Sequence, residues 1–330
     1  MDVAKSIAPA LAGAYGSEAF RLNEIRGTRE SGAEQSPNCA TSRATKLPLL
    51  SFIVVNYNYG RFLETCVVSI MEQNYPNIEC IVVDNASTDV SASVMERLAR
   101  RYPSLEILRN TENLGQNAAC CLGLARSRGS YVAFIDADDY LLPFYAATHI
   151  RTHLTIPSAV GFTSGDMAQL VDNTIVRGNY LNRRWRQVKN STVPANEVGF
   201  SDICDLSAAL GTVFLESPEF AADIQVISRD FRDWAWAPTS ANVYRRDAIS
   251  LLAANPKLPE LKFATDAYYN FVVNALFSSA VIEKPLAVYR IHGANYFSAR
   301  EHANRADIQQ GHGRRSARRF LRSRIYACRV

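Results

Sequence analysis

The sequence lacks several patterns that mark particular classes of protein. Its seven cysteines include no C-x-x-C pair and no regular spacing, which argues against a zinc knuckle and against a disulfide scaffold. Neither G-x-G-x-x-G nor G-x-x-x-x-G-K-[ST] follows an apolar run, so the usual dinucleotide and P-loop patterns are missing. Any nucleotide binding would therefore depend on other groups, such as carboxylates and a metal ion.

A strong excess of charge and long apolar runs are also missing. The 36 Lys and Arg residues nearly balance the 32 Asp and Glu residues, so charge alone does not indicate a nucleic-acid partner. No apolar stretch approaches the roughly 20 residues that span a bilayer, and the N-terminus lacks the basic start of a signal peptide. We therefore expect a cytoplasmic globular protein with reduced thiols.

The two ends differ in composition from the rest of the chain. Residues 1–46 are rich in Ala, Ser and Gly and have no sustained period, which predicts a flexible extension. A basic tail is expected over residues 301–330, because its last twenty residues contain seven arginines and no acidic residue. Such a tail either contacts anionic lipid headgroups, at about 1 kcal/mol per basic residue, or remains solvated.

Between these ends, apolar runs alternate with amphipathic segments. Residues 49–55 form a continuous run with β-branched residues, which predicts a buried strand. A helical stripe follows at Leu63, Cys66, Val67 and Ile70, and the strand and helix pattern recurs up to a fourth run, YVAFID. This alternation predicts an α/β fold, a Rossmann-like, mostly parallel central sheet with helices on both faces.

A polar cluster follows each predicted strand directly. The clusters are NYNYG (56–60), DNASTD (84–89), RNTEN (109–113) and DADD (136–139). Ligands of parallel sheets bind beyond the carboxyl ends of the strands. We therefore expect these four segments to bring their polar groups to one edge of the sheet.

Three carboxylates stand together at residues 136, 138 and 139. In extended backbone the side chains of Asp136 and Asp138 leave on the same side, and two such carboxylates repel each other unless a cation is near. Oxygen ligands of this kind suit Mg²⁺ or Mn²⁺. The alternative, a cap for a helix starting near Leu141, accounts for one aspartate but not for three. Asp84 is a candidate acceptor for a nucleobase N–H or a ribose hydroxyl.

These motifs together resemble a known family. The segments LSFIVVNYNYGRFLETCVVSIMEQNYPNIECIVVDNASTD and NTENLGQNAACCLGLARSRGSYVAFIDADD are similar to the donor half of the family 2 glycosyltransferases, which have the GT-A fold. The resemblance covers about residues 48–145. It implies a nucleotide-sugar donor, more often linked to UDP or dTDP, and a divalent cation, Mn²⁺ or Mg²⁺. The donor-binding residues that it implies are Asn56, Asn58, Asp84, Asn113 and Asp136, and Asp138 is the implied metal ligand.

The resemblance continues more weakly in the second half. FATDAYYN resembles the acceptor-side motif and makes Asp266 the implied general base, although the family commonly has Glu-Asp where this chain has Thr265 and Asp266. YRIHGANYFS resembles a segment near the diphosphate, which nominates Arg290 as a phosphate partner and His292 as a metal or phosphate ligand. A further departure is Cys120-Cys121, where members frequently carry Arg-Asn.

We therefore predict a donor-binding half at 47–150 and an acceptor-binding half of the same domain at 151–300. The predicted activity is metal-dependent, inverting transfer of a sugar to a saccharide or lipid-linked saccharide, in polysaccharide or glycolipid biosynthesis. Two alternatives remain open at this point. One is a phosphohydrolase that forms an aspartyl-phosphate, although Tyr140 stands where such enzymes usually have Thr or Val. The other is a non-catalytic nucleotide-sugar binding protein, which the change at Thr265 suggests.

Overall fold

The computed structural model describes residues 47–156, 159–177, 192–194, 224–253, 255, 258, 265–293 and 295. The predicted extension at 1–46 and the predicted basic tail at 301–330 lie outside these residues. Within the described part of the chain, no helix is both long and apolar enough to cross a bilayer.

Strands and helices alternate through the first half, as the sequence predicts. The first predicted strand begins and ends one residue later than expected. The elements are β1 (Leu50–Asn56), α1 (Gly60–Met71), β2 (Ile78–Asp84), α2 (Ser91–Arg101), β3 (Glu106–Arg109), α3 (Gln116–Arg126) and β4 (Tyr131–Asp136).

The second half is more irregular. A 3₁₀ turn at Thr239–Ala241 leads directly into the strand Asn242–Arg245. The elements are β5 (Tyr140–Leu141), α4 (Tyr145–Thr155), β6 (Phe162–Val171), β7 (Thr174–Arg177), β8 (Thr192–Pro194), β9 (Ile224–Ile227), β10 (Asn242–Arg245), α5 (Arg246–Ala253), α6 (Thr265–Phe277) and β11 (Ser279–Ile291).

All the strands of the described residues join one sheet, in the order β3-β2-β1-β4-β10-β6-β11-β9-β8, with β5 on β11 and β7 on β6. The strands β3, β2, β1 and β4 are parallel, as predicted. Beyond β4 the sheet is mixed, because β10 runs antiparallel to both β4 and β6 whereas β11 runs parallel to β6. A tight turn at Asp172 and Asn173, which have positive φ values, closes the antiparallel β6–β7 hairpin.

The apolar residues of β1 other than Val55 and the predicted stripe of α1 are fully buried. Helix α3 lies close to β1, because a Cβ added at Gly123 would stand 2.3 Å from Cγ2 of Ile53. The N-terminal end of α3 follows the loop after β3, so this close packing holds Gln116 at the carboxyl ends of the parallel strands. Cys120 is buried on the same helix, and Cys121 is half-buried.

Candidate functional site

The carboxyl ends of the parallel strands lie side by side. Asn56 at the end of β1 is in register with Asp84 of β2, and Val55 is in register with Asp136 of β4. The polar segments that follow these strands are therefore neighbours, as the sequence predicts. This edge of the sheet is called the rim below.

Asn56 and Asp84 are joined directly at the rim. The Asn56 amide donates to Oδ1 of Asp84 over 2.8 Å and also lies within hydrogen-bond distance of the Ser87 and Ser91 hydroxyls. Asp84 is only 5% exposed, and the Ser87 N–H lies 3.4 Å from its Oδ2. An ionised carboxylate accepts about four hydrogen bonds, so these donors orient Asp84 and leave it acceptor capacity for a ligand N–H.

Asn58 and Asn113 brace the loops of the rim. Oδ1 of Asn58, a residue with φ of 60°, accepts the Thr88 N–H over 2.8 Å. Oδ1 of Asn113 accepts from the Asn85 amide over 2.7 Å and from the Gly115 N–H over 3.0 Å. Both predicted donor-binding asparagines therefore lie at the rim, and both already stabilise its loops.

The carboxylates of Asp136, Asp138 and Asp139, called the acid cluster below, are held by partners from distant parts of the chain. Oδ1 of Asp136 accepts from the Gln116 amide over 2.7 Å. Asp138 is 7% exposed, and Oδ2 of Asp138 accepts from the Asn295 amide over 3.1 Å. Asp139 has no exposed surface.

Burial makes negative charge costly in the acid cluster. Burial first, and then repulsion from Asp138 and Asp266, raise the pKa of Asp136 to about 7, against weaker opposing hydrogen bonds from Gln116 and another side chain. Burial, then Asp138 and Asp136, raise the pKa of Asp139 well above its usual value. A cation beside these carboxylates would favour their charged forms.

The donor set suits a hard cation that keeps open coordination positions. Nε2 of His292 lies 3.1 Å from Oδ2 of Asp138. In the part of the chain that the structure describes, no group of three or more His, Cys, Asp or Glu side chains is placed to hold a metal ion. Mg²⁺ and Mn²⁺ commonly bind through one or two protein ligands and take the rest from water and phosphate oxygens. Asp138 and His292 fit such partial ligation.

Cationic groups lie beside the acid cluster. The Arg290 guanidinium lies 5.2 Å from the Phe62 ring centre and 4.8 Å from that of Tyr140, and its backbone N–H donates to Oδ1 of Asp139 over 3.3 Å. The Arg61 guanidinium lies over the same Phe62 ring, at 4.4 Å. Aromatic faces hold guanidinium groups without neutralising them, so both arginines keep charge available for an anionic ligand.

Asp266 is half-buried on the first turn of α6, where its Oδ1 accepts the Ala267 N–H over 2.8 Å. Burial raises its pKa to about 6, against smaller opposite effects of backbone hydrogen bonds. Its charge also raises the pKa of Asp136, so the two carboxylates are close enough to interact. A carboxylate with a pKa near neutral pH suits general base catalysis.

Sequence reasoning missed three residues that orient the acid cluster. Gln116 binds Asp136, Asn295 binds Asp138, and the Ser240 hydroxyl accepts the Asp136 N–H over 3.0 Å. Asn295 lies in the segment YRIHGANYFS, and the resemblance of that segment to the family was a signal that could have indicated it. No local pattern marks Gln116 or Ser240, because each acts on a residue far away in the chain.

The raised pKa of Asp136 predicts a pH-dependent stability. A carboxyl whose pKa is 3.8 when unfolded and about 7 when folded stabilises the fold at low pH, and this contribution is lost as the pH rises to 7. Between pH 5 and 8 the metal-free protein should therefore lose at least about 1 kcal/mol more unfolding free energy than Asp136→Asn. Thermal unfolding at several pH values measures this difference. The lowered pKa values of the buried histidines change stability with pH in the opposite direction, but both proteins contain these histidines, so the comparison removes their effect. Parallel curves for the two proteins would contradict the raised pKa.

The chain is similar to known glycosyltransferases. Residues 51–202 match the model described as Glycosyl transferase family 2. The uncharacterized glycosyltransferase alr2836 of Nostoc sp. is 25% identical over 248 residues, which cover 74% of this chain and 66%, just under two thirds, of that relative.

Two solved structures share the fold. S. aureus TarS 1-349 in complex with UDP is 17% identical, with a TM-score of 0.50, over 85% of this chain and 75% of that one. The mannosyltransferase PcManGT from Pyrobaculum calidifontis, in complex with GDP-Man and Mn²⁺, is 19% identical, with a TM-score of 0.50, over 89% of this chain and 70% of that one. At these identities the likeness establishes the fold, which is GT-A.

Proposed function

Because residues 51–202 match the model of glycosyl transferase family 2, we propose that the protein transfers a sugar from a nucleoside diphosphate donor to a hydroxyl group, with a divalent cation. The observation that carries the proposal is the acid cluster at the rim, flanked by Arg290 and faced by Asp266. This arrangement suits an anionic ligand that binds together with a cation. It also suits a hydroxyl acceptor that has a base nearby.

The donor is proposed to bind along the carboxyl ends of β1, β2 and β4. Asp84 would accept the N–H of a pyrimidine base, which favours a UDP- or dTDP-linked sugar over other donors. Asn56 supports this role because it fixes the orientation of the carboxylate. Asn58 and Asn113 would shape the same cleft through the loops that they brace.

Asp138 is proposed to hold the cation, Mn²⁺ or Mg²⁺, with His292 as its neighbour. When bound, such an ion neutralises the charge that develops on a diphosphate leaving group. Arg290 is proposed to contribute a charge-assisted contact to the same phosphates. Asp136 supports the site through its effect on the total charge of the acid cluster.

Asp266 is proposed to be the general base. It would remove the proton from the acceptor hydroxyl as that oxygen forms a bond to the anomeric carbon. The bond from this carbon to the diphosphate oxygen breaks at the same time, and its electron pair leaves with the diphosphate. Attack from the face opposite the leaving group inverts the configuration of the sugar. A folded-state pKa of about 6 leaves most Asp266 carboxylates ionised at pH 7 to 8.

Other parts of the proposal have their support in the sequence alone. These are a saccharide or lipid-linked saccharide acceptor, a role in polysaccharide or glycolipid biosynthesis, and a cytoplasmic location with membrane contact through residues 301–330.

The test is release of nucleoside diphosphate from a panel of UDP-, dTDP- and GDP-sugars, with a mixture of saccharide acceptors. We expect release from one donor with Mn²⁺ and loss of at least about 100-fold after chelation, since the ion stabilises the leaving group. Release of phosphate from a simple phosphomonoester, without any need for a nucleotide, would favour the phosphohydrolase. Tight nucleotide binding with neither transfer nor donor hydrolysis would favour a non-catalytic binding protein.

A further inference from the structure

Gln116 connects β4 with the start of α6 through both ends of its side-chain amide. Nε2 of Gln116 lies 2.7 Å from Oδ1 of Asp136, and Oε1 of Gln116 lies 3.1 Å from Oγ1 of Thr265. Asp136 belongs to the donor-side strand β4, whereas Thr265 is the first residue of α6. In the sequence, Gln116 is 20 residues from Asp136 and 149 residues from Thr265.

The two hydrogen bonds use opposite ends of the amide. The Gln116 NH₂ group donates to Asp136, and the Gln116 oxygen faces Thr265. The Thr265 hydroxyl then donates to that oxygen. Thr265 is only 1% exposed, so water cannot readily replace Gln116 as its partner.

Helix α6 carries Asp266 immediately after Thr265. Gln116 gives the first turn of α6 an attractive contact with the acid cluster without adding charge. Cys120, one helical turn after Gln116, lies close enough to Thr265 for that hydroxyl to affect the pKa of its thiol. This chain departs from the family pattern at both Thr265 and Cys120. The two changed residues therefore lie next to each other, and neither carries a charge.

We propose that Gln116 is a positioning residue that ties Asp136 to the first turn of α6 and thereby sets the position of Asp266 relative to the donor. This inference rests on the proposed function, since it assigns Gln116 to the transfer reaction. The two hydrogen bonds of Gln116, to Asp136 and to Thr265, are called the bridge below. We expect the bridge to influence turnover far more than donor binding, because Asp266 acts on the acceptor and not on the nucleotide.

Two conservative substitutions break the bridge. Thr265→Val replaces the hydroxyl by a methyl group and removes one hydrogen bond, and Gln116→Met removes both hydrogen bonds at similar volume. We expect each variant to lower kcat by about 10-fold or more, since small misplacement of a reacting group is costly. The Kd for nucleoside diphosphate with Mn²⁺ should stay within about 2-fold for Thr265→Val. Thr265→Ser, which keeps the hydroxyl, should restore most of kcat.

A double-mutant cycle separates one shared bridge from two independent effects. The loss in the double variant should not exceed that of Gln116→Met alone. Thr152→Val is a matched control, because Thr152 is also buried and its hydroxyl bonds only within its own helix, to the carbonyl of Thr148. We expect this control to leave kcat unchanged.

Each outcome decides between separate claims. If wild-type protein turns over and Thr265→Val retains full kcat, or if the two losses multiply in the double variant, the positioning role of Gln116 is overturned while the proposed function stands. The role is also overturned if Thr265→Ser fails to rescue. If wild-type protein neither transfers nor hydrolyses any donor, the proposed function fails and this inference fails with it.

Discussion

Asp138→Ala is expected to abolish metal-supported nucleotide binding and sugar transfer together. The Asp138 carboxylate is nearly buried, lies in contact with His292 and Asn295, and is the proposed ligand of the cation. Without it the diphosphate loses its counter-charge, so kcat should fall at least about 100-fold. The Kd for nucleoside diphosphate in Mn²⁺ should rise toward the value measured without metal.

Asp138→Asn distinguishes loss of charge from loss of packing. The amide keeps the size of the side chain and an oxygen that accepts from Asn295, but it is a poor cation ligand. We expect it to behave like Asp138→Ala in activity and like wild-type protein in thermal stability. Asp230→Asn is the control, because the Asp230 side chain is exposed and forms a long ion pair, 3.8 Å, with Arg232. Turnover of Asp138→Asn near the wild-type level would refute the cation site.

Asp266→Asn is expected to lower kcat by about 10² to 10⁴-fold while donor binding is retained, because a general base contributes this much to proton transfer. The side-chain amide oxygen of this variant would still accept the Ala267 N–H, so the first turn of α6 should be kept. The acidic limb of the pH profile, expected near the folded-state pKa of about 6, should disappear in the residual activity. Steady-state kinetics between pH 5 and 9 and calorimetric titration with nucleoside diphosphate measure the two effects.

The chain offers a close structural match for this control. Asp247 is the second residue of α5, as Asp266 is of α6, and its Oδ1 accepts the next backbone N–H over the same 2.8 Å. Asp247 is exposed and paired with Arg245. Asp247→Asn therefore repeats the local change without touching the rim and should leave kcat unaltered. An equal loss in both variants would show that helix capping, and not base catalysis, explains the effect.

The donor half of the site could be predicted because its information is local. Asp84 and Asp136 each end an apolar run, and parallel strands bring such ends to one edge regardless of the rest of the chain. The amphipathic stripe of α1 is equally local. These features need only the periods of strands and helices, and the structure has them within one residue of the predicted bounds at β1.

The support of the acid cluster could not be predicted, because it comes from long-range contacts. Ser240 is 104 residues from Asp136, and Asn295 is 157 residues from Asp138. Ser240 lies in the turn directly before β10, and Asn295 follows β11. The periodicity of the sequence does not specify which strands β10 and β11 pair with in the sheet. The antiparallel direction of β10 was missed for the same reason.

The most direct measurement of the central claim is calorimetric titration of wild-type protein and Asp138→Asn with UDP, with and without Mn²⁺. The account predicts tight binding to the wild-type protein only when Mn²⁺ is present, and no gain from Mn²⁺ in the variant. Equal affinity for UDP with and without Mn²⁺, or the same gain from Mn²⁺ in both proteins, would contradict a cation held at Asp138.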